Sequence, residues 1–122
     1  MQEQKRILIV DDYPMNIEIM EIALAKDYQL AMASSGEDAL ATATDFQPDL
    51  ILLDVMMPGM DGYETCRRMR ATPALCQIKI VMVSAKAMAE ERAQGFEAGA
   101  DDYITKPFAK KELLAKVYDY LQ

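Results

Sequence analysis

The sequence predicts a doubly wound α/β domain with a five-stranded parallel sheet. Three observations carry that expectation. Five short runs rich in Ile, Val or Leu alternate with amphipathic segments, helix-start residues stand between the runs, and 122 residues suit one ordinary domain. The single domain is expected to span residues 1–122, without an internal repeat, linker or low-complexity stretch.

The runs are Arg6–Val10, Gln29–Ala33, Leu50–Leu53, Ile78–Val83 and a brief one at Tyr103–Ile104. Near-continuous apolar runs are the mark of strands covered on both faces. Pro14 suits a first helical position, because its missing N–H would be unpaired there anyway. Ser35 with Asp38, and Asp61 with Glu64, have the spacing of capping boxes. Gly99 is placed to close the fourth helix. The ten methionines read as adaptable core filler.

Composition excludes several function classes. Acidic residues outnumber basic ones by 20 to 13, for a formal charge of −7, which argues against direct nucleic-acid binding. The longest apolar stretches, Ile7–Val10 and Leu50–Leu53, fall far short of the ~18 residues of a membrane span. Met1–Lys5 is polar and unlike a secretory signal, so a soluble, cytoplasmic protein is expected. Cys66 and Cys76 form no CxxC and read as reduced thiols. The chain has no histidine, which removes Ser-His-Asp triads, Cys-His pairs and histidine-ligated zinc.

In open parallel sheets, ligands bind beyond the carboxyl ends of the strands. The polar residues there are Asp11 and Asp12 after the first run, Asp54 after the third, Ser84 after the fourth and Lys106 after the fifth. Carboxylates about 5 Å apart repel by roughly 3 kcal/mol per pair at an effective dielectric of 20. Lys106 offsets one charge of three, and a hard divalent cation such as Mg²⁺ would offset the rest. A site with Mg²⁺, an ammonium and a hydroxyl also suits a phosphoryl group, and Asp54 is placed to accept it. Each residue alone has a plainer reading: Asp11 and Asp12 as helix caps, Asp54 as a loop cap, Ser84 as a turn residue, Lys106 as a solvated lysine.

The segments Ile7–Asp12, Leu50–Gly62 and Gly99–Phe108, in that order and spacing, resemble the receiver domains of bacterial two-component response regulators (the CheY-like superfamily). The similarity runs from about Lys5 to the end. It implies the flavodoxin-like strand order 2-1-3-4-5 with five helices. By resemblance, Asp54 is the phosphoacceptor, and Asp11, Asp12, Asp54 and the backbone carbonyl of Met56 hold Mg²⁺. Ser84 and Lys106 bind the phosphoryl group, Ser84 and Tyr103 form the switch, and Lys106–Pro107 is a cis bond. Tyr103 alone would read as half-buried packing. The implied partners are a sensor histidine kinase or histidine phosphotransfer domain and a downstream effector, and a phosphorylation-dependent homodimer stays open. The domain would be a signalling module rather than an enzyme.

Two further expectations concern surfaces. Ile17, Met20 and Leu24 form one apolar stripe of the first helix, and Met15, Ile19 and Ile22 form a second nearly opposite. A helix on a sheet buries one stripe, so the second is either partly covered or, with Pro107, a docking face for the phosphodonor protein. Lys106, Lys110, Lys111 and Lys116 read mostly as a solvated face. Met56, two residues past Asp54, cannot orient a water, so slow self-dephosphorylation is expected. A phosphohydrolase would want an acid or base there, and an FMN carrier would want a Ser/Thr/Gly-rich loop in place of Asp11–Asn16.

Overall fold

A computed structural model describes residues 4–86 and 88–122. In chain order the elements are β1 (Arg6–Val10), α1 (Pro14–Leu24), β2 (Gln29–Ala33), α2 (Gly36–Phe46), β3 (Leu50–Leu53), α3 (Gly62–Arg70), β4 (Lys79–Ser84), α4 (Ala89–Ala98), β5 (Asp102–Thr105) and α5 (Lys110–Leu121). All strand pairs are parallel, in the order β2-β1-β3-β4-β5. The expected fold class and strand order are therefore observed.

The period of two along each strand divides the core into two layers. Leu8, Val10, Ile51, Leu53, Ile80 and Met82 face one side, with Ala39, Ala43, Cys66 and Met69 of α2 and α3. Ile7, Ile9, Leu50, Leu52, Val81 and Val83 face the other, with Met20 and Leu24 of α1 and Leu113 and Val117 of α5. This explains why β1 and β3 read as unbroken apolar runs.

Several local expectations are corrected. β4 runs Lys79–Ser84 rather than 78–83, and β5 extends over Asp102–Thr105, because polar residues at strand ends still pair in the ladder. Ser35 and Asp61 do cap α2 and α3, accepting from the N–H groups of Asp38 and Glu64 at 3.1 and 2.9 Å. Neither box closes reciprocally: Asp38 reaches the Ser34 N–H at 3.4 Å, and Glu64 pairs with Arg67 and Arg68. Gly99 ends α4 with φ 115°, a left-handed conformation that favours glycine. Met20, Met57, Met69 and Met82 are core residues, but Met15, Met32, Met56 and Met88 are exposed, so the filler reading holds for only part of the set. Lys116 is not simply solvated, since its ammonium donates to Asp102 at 3.0 Å. Among the described residues, no helix is long and apolar enough to cross a membrane.

Candidate phosphoryl-acceptor site

The first and third strands deliver two carboxylates to the same rim of the sheet. Asp11 and Asp54 each follow their strand directly, yet their N–H groups still bond to the neighbouring strand, at 3.1 Å to the Ala33 carbonyl and 2.9 Å to the Val10 carbonyl. The ladder thus fixes both backbones before any side-chain contact is made. Asp12, next in sequence, is exposed. Oxygens of Asp11, Asp12 and Asp54 lie within 4.8 Å of one another.

The helix-cap reading of Asp11 and Asp12 is not what is observed, whereas Asp54 does cap its loop through the Met56 N–H. The N-cap of α1 is Tyr13 and has no side-chain capping bond. Asp11 instead accepts from the Tyr13 N–H at 3.0 Å with one oxygen and from the Lys106 ammonium at 2.7 Å with the other. Asp54 accepts from the Met56 N–H at 3.3 Å, and its second oxygen lies 3.8 Å from the same ammonium. Lys106 is held in place by its own N–H, which donates to the Ser84 carbonyl at 2.9 Å. The Lys106–Pro107 bond is cis.

One ammonium faces three carboxylates, and the charge balance shows at Asp54. Burial pushes its carboxyl up, Lys106 draws it down and Asp11 raises it again, leaving it at about 6 instead of the usual carboxylate range. Three hard oxygen donors around a residual negative charge fit a divalent cation. The fit is chemical as well as spatial, because Asp12 is open to solvent and ions that keep several waters need such a side.

Ser84 ends β4 fully buried, and its hydroxyl oxygen accepts from the Lys86 N–H at 3.2 Å. Tyr103 of β5 is buried rather than half-buried, and its hydroxyl donates to the Lys86 carbonyl. Its ring lies beneath α4, where Gly95 permits the approach: a Cβ there would sit 3.2 Å from the ring. The Arg92 guanidinium covers the ring at 5.2 Å. Met56, two residues past Asp54, is 53 % exposed.

Of the surface residues, Met15, Ile19 and Ile22 are all more than half exposed, so the second stripe is at most partly covered. Ile19, Pro107 and Phe108 line a groove of about 290 Å³ that reaches Lys106. Two residues near the site were not singled out from the sequence. Lys86 pairs with Glu91 at 3.7 Å beside the mouth, and Tyr63 donates its hydroxyl to the Glu91 carbonyl at 3.0 Å. Position two after Ser84 marks the first; nothing local marks the second, whose partner is 28 residues away.

Residues 7–118 match the family model described as the response regulator receiver domain. The chain belongs to that family. It is 44 % identical over 113 residues to the response regulator PleD of Caulobacter vibrioides, covering 92 % of this chain and 25 % of PleD. It is 43 % identical over 115 residues to the DNA-binding response regulator MtrA of Mycolicibacterium smegmatis, covering 93 % and 49 %. The chain thus spans a quarter to a half of these curated relatives. Its fold matches the receiver domain of the sensor histidine kinase PA1611 from Pseudomonas aeruginosa, which has magnesium coordinated in its active-site cleft. That match has a TM-score of 0.89 at 30 % identity, covering 97 % of this chain and 98 % of the other. As a response regulator receiver domain, the chain has a phosphoacceptor signalling role.

Proposed function

We propose that Asp54 is the residue phosphorylated in this receiver domain, in a magnesium-dependent transfer from a phosphohistidine. The observation that carries this reading is a buried Asp54 sharing one ammonium with Asp11, their oxygens and those of Asp12 within 4.8 Å. Asp11, Asp12, Asp54 and the Met56 carbonyl would hold the ion. When bound, Mg²⁺ would neutralise the acidic cluster and draw charge from the transferred phosphoryl oxygens.

The chain's own residues do the rest. An Asp54 oxygen attacks phosphorus in line, the O–P bond forms as the N–P bond breaks, and the imidazole leaves with the electron pair. The Lys106 ammonium stands close to both Asp11 and Asp54, so it can follow the negative charge onto the phosphoryl group. Ser84 and Tyr103 both bond to the Lys86 backbone, so turning the Ser84 hydroxyl to a phosphoryl oxygen would disturb that loop and alter the α4–β5–α5 surface. Met56 offers no acid or base for hydrolysis, so the acyl phosphate should persist for minutes or longer.

The donor proposed is a sensor histidine kinase or a histidine phosphotransfer domain, docking on Met15, Ile19, Ile22 and Pro107. A downstream effector reads the altered face, with or without homodimerisation. The unit is taken as the whole of residues 1–122, a cytoplasmic signalling module that assists only its own phosphorylation and dephosphorylation. Its charge of −7 disfavours direct binding to nucleic acid.

The test is intact-protein mass after incubation with a small acyl phosphate, with and without Mg²⁺. One added phosphoryl group that requires Mg²⁺ and is absent from Asp54→Asn is expected. Equal labelling of wild type and variant would overturn the assignment.

A further inference from the structure

α4 has little apolar anchorage. Of its ten residues only Gly95 and Ala98 are buried, and its one large apolar side chain, Phe96, is 45 % exposed. Buried apolar surface supplies most of a helix's hold on its domain, so this one depends on polar tethers. Its N-cap, Met88, supplies no capping oxygen, and the Met88 N–H is served instead by the Glu91 carboxylate at 3.1 Å.

The tethers converge from two other elements. Tyr63, in the first turn of α3, is 8 % exposed and donates its hydroxyl to the Glu91 carbonyl at 3.0 Å. Tyr103, on β5, donates to the Lys86 carbonyl, and Arg92 reaches back to the Thr105 hydroxyl at 3.2 Å. Two phenols thus pin the two sides of the entry to α4, one at residue 86 and one at residue 91. The tyrosines are also close enough to influence each other. Burial and then Tyr103 push the Tyr63 phenol up to about 12.

We propose that Tyr63 is a second positioning residue of the switch, a pin that holds the first turn of α4 over Tyr103. Tyr103 cannot leave its pocket beneath Gly95 without α4 lifting, and α4 lifts only when the Tyr63–Glu91 bond breaks. The state of the switch is then set from α3 as well as from β4 and β5. The switch itself rests on the proposed function, but the pin is a property of the unmodified chain, so its test and that of Asp54 phosphorylation fail separately.

Tyr63→Phe is a clean probe, because it keeps the ring and deletes only the hydroxyl. Glu91 lies inside α4, where its carbonyl also serves the helical ladder, so no buried acceptor is orphaned. The measurement is amide hydrogen exchange across α4 in wild type, Tyr63→Phe, Tyr103→Phe and the double variant, with the urea midpoint recorded for each. A net hydrogen bond of about 1 kcal/mol corresponds to roughly 5-fold faster local exchange. Each single variant should show that change in α4, and the double variant should show about the product, while amides of β1 and β3 stay as protected as in wild type. A role for Tyr63 in packing alone predicts no change in Tyr63→Phe, and that result overturns the proposal. Faster exchange spread evenly over the sheet overturns it too, since it would report global loosening.

Discussion

The carboxyl of Asp54 is caught between burial, which favours its neutral form, and Lys106, which favours its charged form; burial prevails and leaves it at about 6. A raised carboxyl binds its proton more tightly folded than unfolded. Folding stability therefore falls as pH rises from about 4 to about 6, and the penalty is fully present at neutral pH. In the absence of divalent ions, Asp54→Asn should raise stability at pH 7 by about 1–3 kcal/mol. The gain should vanish below pH 4, where the wild-type carboxyl is protonated in both states. Urea unfolding at several pH values with a chelator present checks this, and a destabilised variant at pH 7 would contradict it. Added Mg²⁺ should shrink the difference by stabilising the wild type through binding.

At the scale of single elements, α1 and the start of α3 make separate demands. The outward stripe of α1 leaves Ile22 72 % exposed and Ile19 51 % exposed, beside the groove that runs to Pro107. Ile19→Asp should slow phosphotransfer from a cognate kinase at least 10-fold, on the order of one lost apolar anchor. It should leave labelling by a small acyl phosphate unchanged. Equal losses with both donors would show that the substitution damages the site, not the docking face. Gly62 opens α3 directly beneath the acceptor loop. A Cβ there would lie 2.2 Å from the Asp54 carbonyl oxygen and 2.7 Å from the Val55 Cα, both backbone atoms that cannot swing aside. Gly62→Ala should cost about 1–3 kcal/mol through overpacking and move Asp54 out of reach of Lys106. Thermal unfolding and the rate of small-donor labelling would both register it. A variant of wild-type stability and labelling rate would mean that the loop accommodates the methyl group.

For the molecule as a whole, the sheet was legible because β1 and β3 are buried on both faces, which leaves no polar alternation to obscure Ile7–Val10 or Leu50–Leu53. The edges of β4 and β5 were less so, since Ser84 and Thr105 pair in the ladder while looking like turn residues. The acidic cluster could be read from strand ends alone, because the parallel topology brings every strand's carboxyl end to one rim. What could not be read were contacts that cross the chain without a local signature. Arg70, which reads as one of three basic residues on α3, binds Asp101 at 2.9 Å and the carbonyls of Cys76, Ile78 and Gly99. Lys116 and Tyr120 of α5 both donate to Asp102, whose carboxyl burial alone would raise but these bonds hold low. Periodicity marks which face of a helix is apolar; it does not say which partner a half-buried cation will find.

The central claim concerns one carboxylate, and its most direct test is chemical localisation. Reduction of a freshly phosphorylated sample with borohydride converts an aspartyl phosphate to homoserine, and peptide sequencing by mass spectrometry reads where. Homoserine at position 54, formed only when Mg²⁺ was present during phosphorylation, is the expected result. Homoserine at Asp11 or Asp12, or labelling that persists under chelation, would contradict the account.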